Sequence, residues 1–367
     1  MKKLLLKLIT LVTIFLIYWS GITAQNISFF NDYLGNVLVF DNGNIKQIEH
    51  QPLKSYKIGN STFAYEDNAE FFKIYHNHYV HRVMTSVGEY KMSNNLVVFT
   101  FNNILRAFDN GNIINLSNNI TDYYLGEDVI VWFDDIQKKL KAYYNKEIID
   151  LDDALATGAA NKVYIGKNIV AYVDSRNYLN IFYRGEIIPA DFAERIKSLE
   201  IGKDIVAFVE EPVNNLQVFY KGEILDIENF EPASYKAGDG FLAYVDANNY
   251  LKVFSDFNVE IISFDSPDFY EVVDQLMIFG VQDFFKVYYK GKVFTLENYI
   301  PGSYLLQNNV IAYIDQLGNL KYFDGTKVET ISYETISEYE LNGNILKYKF
   351  GVSSENIYFN GRTYKND

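Results

Sequence analysis

The 367-residue chain contains no cysteine. Disulfides cannot staple it, thiolates cannot hold a structural zinc, and no lipid can be attached to a cysteine behind a leader, so a lipoprotein is excluded. Histidine is scarce: all four lie between positions 50 and 81. Catalytic motifs are missing as well, with no H-E-x-x-H, no G-x-S-x-G, no Walker glycine loop and no dinucleotide fingerprint. Basic residues are the minority, 33 against 47 acidic, for a net charge of −14. A chain this acidic repels phosphate backbones, which argues against a nucleic-acid partner. After the amino terminus no hydrophobic run is long enough to span a bilayer. What remains to hold the fold is packing, and a composition that is 49% hydrophobic and 17% aromatic supplies it.

The first residues read apart from the rest. Lys2, Lys3 and Lys7 precede an apolar run from Leu8 to Trp19, followed by Ser20, Gly21, Ile22, Thr23 and Ala24. This is the layout of a secretory leader cut after a small residue, here after Ala24. The predicted organisation is a signal peptide over 1–24 and one repeat domain over 25–367. Loss of the three leader lysines leaves 30 basic and 47 acidic residues, a net of −17. The protein is expected to be exported, to the periplasm or the medium, with no membrane span once the leader is removed.

The domain is dominated by an internal repeat. A marker aromatic recurs at Phe30, Tyr65, Phe99, Trp132, Tyr172, Phe208, Tyr244, Phe279, Tyr313 and Tyr348, about every 35 residues. In step with it run two-residue turns at 42–43, 77–78, 110–111, 145–146, 184–185, 221–222, 257–258, 290–291, 324–325 and 360–361. Seven have glycine second, as in type I′ hairpins, whose central residues both need positive φ. A tyrosine precedes the marker at Tyr56, Tyr90, Tyr124, Tyr164, Tyr235, Tyr270, Tyr304 and Tyr339, with Leu199 in its place once. The unit over 164–189 then reads as four short antiparallel strands, A (164–165), B (169–173), C (178–183) and D (186–189), and 190–198 as one short helix. A single such sheet cannot bury both apolar faces, but copies stacked about an axis can. The predicted fold is all-β, a β-propeller of about ten ~35-residue, four-stranded repeats, with an open stack of hairpins or two smaller propellers as alternatives. The first unit lacks a strand A, because its place falls within the leader.

These units resemble those of bacterial exported β-propeller repeat proteins. Tyr313-Ile314-Asp315-Gln316-Leu317-Gly318 is similar to the tyrosine–isoleucine–aspartate turn of bacterial WG repeats, although the Trp-Gly pair of that family is absent. The resemblance covers Asn26–Asp367, implies architecture only, and carries over no functional residue.

Three sets of residues are candidates for chemistry. Asp32, Asp67, Asp134, Asp174, Glu210, Asp246 and Asp315 open seven of the ten B–C turns, and Phe101, Val281 and Phe350 break the pattern in the other three. The carboxylates either cap their own turns or form an acidic rim for cations or a basic partner. The opposite rim, made of A–B and C–D turns, carries Lys146, Lys167, Arg184, Lys203, Lys221, Lys290 and Arg362. His76 and His81 flank a C–D hairpin and fall on one face as diagonal neighbours, a place where imidazoles can bind zinc or copper, or simply part of a polar hairpin. The strand A tyrosines either line a channel or pack between units. No cofactor is expected. The expected function is a non-catalytic binding or scaffold protein, with a protein or glycan partner on the acidic rim. The alternative is a carbohydrate- or peptide-active hydrolase or lyase using carboxylates at the channel mouth.

Overall fold

In a computed structural model, described over residues 26–153, 162–351 and 354–365, the chain forms ten antiparallel sheets. The leader predicted over 1–24 lies outside the described residues. Nine sheets have four strands in the order A–B–C–D. The first has three, Ile27–Asn31, Val37–Asp41 and Asn44–Glu49, which correspond to B, C and D. Blade 5 runs Val163–Ile165, Ile169–Val173, Tyr178–Tyr183 and Glu186–Phe192, within a few residues of the pattern read from the sequence. The helix expected over 190–198 is instead the end of one strand and the start of the next, joined by a single 3-10 turn at Ala193–Arg195.

The hairpin turns form as their residues require. Nine of the ten C–D turns place both central residues at positive φ, for example Asn110 at 46° and Gly111 at 88°. In blade 7 the turn is Asp256-Phe257, one residue earlier than the spacing predicts. In blade 9 only Gly325 takes positive φ, and Asp324 closes a wider turn by accepting from the amides of Thr326 and Lys327. A bulge recurs where strand C meets strand D in blades 1 to 9, as between Leu251 and Lys252. Bulges of this kind add twist to the sheet.

All ten marker aromatics are buried, none more than 4% exposed. Their surroundings show how the sheets assemble. Ten buried apolar clusters form among the described residues, and each bridges two neighbouring blades. Ten interfaces for ten blades mean a closed ring, since an open stack would have one fewer. The tenth joins Ile345, Ile357 and Phe359 of the last blade to Phe30 and Phe40 of the first. Phe40 meets the rings of Phe359 and Tyr364 edge-on at 5.6 and 4.9 Å. The Lys347 ammonium donates to the Phe29 carbonyl at 3.3 Å and lies 4.8 Å over its ring. The architecture is therefore one ten-bladed β-propeller rather than two rings or an open array.

Strand A lies nearest the axis, because the A-strand ends Ile58, Met92, Leu125, Ile165, Ile201 and Ala237 all border one central cavity. There the A–B turns touch one another. The amides of Lys167 and Lys203 donate to the carbonyls of Gly202 and Gly238, at 3.3 and 3.2 Å. A Cβ added to Gly126, Gly166 or Gly202 would overlap the carbonyl oxygen of the next turn. Glycine is needed here for close approach of one backbone to another. Replacing Gly202 by alanine is expected to cost about 1–3 kcal/mol through overpacking. Gly302, with open space around its Cα, should accept alanine within about 0.5 kcal/mol. Urea unfolding of the two variants checks this.

Candidate functional site

The two rims differ in how their polar groups are used. On the B–C rim the carboxylates serve their own turns. One oxygen of Asp246 accepts from the amides of Asn248 and Tyr250 at 2.8 and 2.9 Å. Asp32, Asp67, Asp174 and Asp315 repeat that i+2, i+4 geometry. Asp134 takes the amides of Ile136 and Gln137 and the Ser117 hydroxyl. Glu210 is paired with Arg195 instead. Asp32 is half-buried and the other six are buried. The turns thus place the seven carboxylates at one position in their blades without bringing them together.

A clip between blades, which the sequence reading missed, stands behind these turns. The hydroxyls of Tyr65, Tyr244 and Tyr313 donate to Glu49, Glu228 and Glu297 on strand D of the preceding blade, at 2.8–2.9 Å. Lys73 spans Glu49 and Asp67 at 2.6 and 2.7 Å, and Lys252 spans Glu228 and Asp246 at 2.7 and 2.9 Å. The signal in the sequence is a glutamate 16 residues before a marker tyrosine. Burial and then the glutamate hold these phenols well above their ordinary range. Burial also pushes Asp67 and Asp246 upward, but the lysines and the turn amides more than offset it, so both carboxyls lie below their usual range.

The histidines divide. His76 and His81 do share a face, and both rings lie edge-on to Phe108 of blade 3, at 5.6 and 5.4 Å. His76 is buried, with Nδ1 3.3 Å from the Ser61 carbonyl oxygen and Nε2 unpaired. His78 pairs with Asp41 at 2.7 Å. Among the described residues no three side chains of the metal-ligating types come together. The strand A tyrosines pack between blades: Tyr90 and Tyr270 are buried and bond Ser55 and Ser234 of the blade before.

On the opposite rim the A–B and C–D turns of blades 2 to 5 enclose a cavity of about 710 Å³. Asparagine dominates its wall. Asn77, Asn110 and Asn145 come from the outer turns, where positive φ favours them. Asn60, Asn94 and Asn168 come from the inner turns. Tyr144, Asp109, Glu127, Asp128 and Lys146 also line it. Beside it the axial cavity, about 490 Å³, is crossed by Lys167. Its ammonium lies 2.8 Å from Asp239 and also pairs with Asp274, two and three blades away. Burial opposes the charge on Lys167, and the two aspartates more than offset it, so its pKa is raised. Burial lifts the carboxyls of Asp239 and Asp128.

A family model described as a 10-bladed beta propeller domain matches residues 22–364. No curated protein matches the chain. Among solved structures the chain is similar to the computationally designed Ika8 protein, at 13% identity over 74% of this chain and 96% of that one, with a TM-score of 0.33. It is also similar to Kluyveromyces lactis Hsv2p, at 14% identity over 65% and 92%, with a TM-score of 0.31. For Prp20p of Saccharomyces cerevisiae the identity is 10% over 64% and 81%, with a TM-score of 0.32. Likeness at this level carries no argument about function.

The clip makes stability acid-sensitive. Asp67 and Asp246 titrate below their unfolded values. Their contribution is therefore present above the unfolded carboxylate range and lost as pH falls through the folded pKa values. Lys252→Met leaves Asp246 and Glu228 facing each other. It is expected to cost about 3 kcal/mol at pH 7 and progressively less as pH falls and Asp246 takes up a proton. Denaturant titrations of the variant and the parent at several pH values measure the difference.

Proposed function

The chain belongs to the 10-bladed beta propeller domain family, and from that premise we propose that it is an exported, non-catalytic binding scaffold whose ligand sits in the asparagine-walled cavity. The contrast between the rims carries this reading. The carboxylates of the B–C turns are spent on their own turns or, at Glu210, on Arg195, and on the other rim Asn94 and Asn168 are spent on Glu127 and Asp204, whereas Asn110 and Asn145 of the C–D turns line a concave space. A primary amide both donates and accepts hydrogen bonds, which suits a dense array of hydroxyls. Tyr144 adds an aromatic wall of the kind that sugar rings lie against. Three carboxylates against one lysine disfavour an anionic ligand. The reading is therefore a neutral glycan, bound outside the cytoplasm by a protein delivered there by its basic–apolar leader.

A second reading is favoured by Asp239 and Asp128, a half-buried and an exposed acid on the two cavities whose carboxyl pKa values are raised, as a general acid needs. A hydrolase or lyase would use them. Against it, Lys167 clamps Asp239 into an ion pair, which opposes the rise in its pKa.

Asn110→Gly and Asn145→Gly remove the amides and keep residues that accept positive φ. Calorimetric titration with a panel of neutral oligosaccharides should show at least about tenfold weaker binding by the double variant, or ~1.4 kcal/mol. Asp32→Asn on the other rim should bind normally. Loss of binding in Asp32→Asn with none in the double variant overturns the placement. Release of shortened sugar by the parent, abolished in Asp239→Asn, selects the enzyme instead. Recovery of the protein from the cytoplasm alone removes the export claim.

A further inference from the structure

Blades 6 to 9 send a consecutive set of connections to the B–C rim. They are the B–C turns 211–214, 246–250, 282–283 and 315–319, and the links 229–233, 264–268, 298–303 and 333–335 that lead from strand D to the next strand A. None of them contains a lysine or an arginine. Each link runs beside the B–C turn of the following blade. Gln282 Nε2 donates to Asp265 at 3.0 Å, and the Gln316 amide donates to the Tyr299 hydroxyl at 3.0 Å. The tips therefore stand in one row along the rim.

Large apolar side chains cap this row. Val213, Phe230, Phe264, Leu317 and Tyr333 are 62–86% exposed. On the opposite rim Tyr79, at 70%, is the one large apolar side chain exposed to that degree among the described residues. The tips are held in place: the Leu317 amide donates to Asp315, and Phe264 lies edge-on to Tyr250 at 5.4 Å. Apolar groups gathered on one exposed face mark an interaction surface. Charge lies between them. Glu231, Asp246 and Asp315 pair with Lys197, Lys252 and Lys321 of the adjoining strands. Glu211, Asp265, Asp268, Asp283 and Glu334 are exposed and enter no ion pair among the described residues.

We propose that this sector of the B–C rim is a docking face for a cationic segment of another protein, one whose lysines or arginines flank apolar anchors. The tips take the anchors and the unpaired carboxylates take the charges. Charge complementarity selects that occupant. A second copy of this chain, meeting the face through a two-fold contact, would set the same acids against themselves. Anionic lipid headgroups would be repelled in the same way. The opposite rim of these blades carries Lys203, Lys221 and Lys290, so a cationic segment is steered to this side. The face lies on the other rim from the asparagine-walled cavity and does not depend on a glycan there.

The probe is a fluorescent amphipathic peptide of leucine and lysine, titrated with the full chain and followed by anisotropy. Phe230→Ser with Phe264→Ser and Leu317→Ser should weaken its binding at least about tenfold. Asp265→Asn with Asp268→Asn and Glu334→Gln should do the same. Every one of these side chains is exposed, so both triple variants should melt with the parent. Tyr79→Ser on the opposite rim should bind as the parent does, and a leucine–glutamate peptide should not bind. Undiminished binding by either triple variant overturns the proposal, as does a glutamate peptide that binds as tightly as the lysine one. So does dimerisation of the parent, or its retention on phosphatidylcholine vesicles, that the apolar triple variant abolishes, since the occupant is then a second copy or a lipid surface.

Discussion

A short twisted sheet with apolar side chains on both faces has no stable life alone, and everything else in this molecule follows from that. Blade 5 carries Ala171 and Ile181 on one face and Val170 and Phe182 on the other, all fully buried. One set packs on blade 6 and the other on blade 4. The two sets are equally demanding, so a neighbour is needed on each side. With no cysteine to staple the ends, a closed ring is the arrangement in which every blade has two. The glycines of the inner turns belong to the same logic, since they let adjacent backbones come close enough to bond where the blades converge.

Closure also decides where chemistry can sit. Strands alternate in direction, so each blade sends two turns to either rim. On the B–C side the turn needs its aspartate for its own amides, and the adjoining lysine and glutamate lock one blade to the next. The polar groups there are structural because the geometry consumes them. On the other side the type I′ turns need only residues that accept positive φ. Asparagine meets that need through its backbone, and Asn77, Asn110 and Asn145 also stand on the wall of the cavity. The same residue thus builds the hairpin and lines the cavity.

Much of the architecture was legible in the chain because it rests on local rules repeated ten times. The marker aromatic, the Asn-Gly and Lys-Gly turns and the 35-residue spacing all act within one unit, and the strands of blade 5 fall where they point. The departures are local too: Asp256-Phe257 takes the turn that spacing alone sets one residue later. What stayed hidden depends on contacts between units. The Glu228–Lys252–Tyr244 clip joins residues whose relation appears only when two blades are face to face. The reach of Lys167 to Asp239 and Asp274 depends on how many blades surround the axis, which no single unit encodes. The cavity is likewise assembled from turns of four blades, so no contiguous motif announces it.

The seam between the last blade and the first is made of side chains alone: Phe40 among Phe359 and Tyr364, and Lys347 against Phe29. Among the described residues no strand crosses it. A chain synthesised from its amino end therefore delivers the first blade early and its final neighbour last. Throughout that interval Phe30 and Phe40 stay wet, waiting for a surface roughly three hundred residues away. The order of synthesis makes this half-dressed intermediate unavoidable, and it is the species a chaperone or protease would meet.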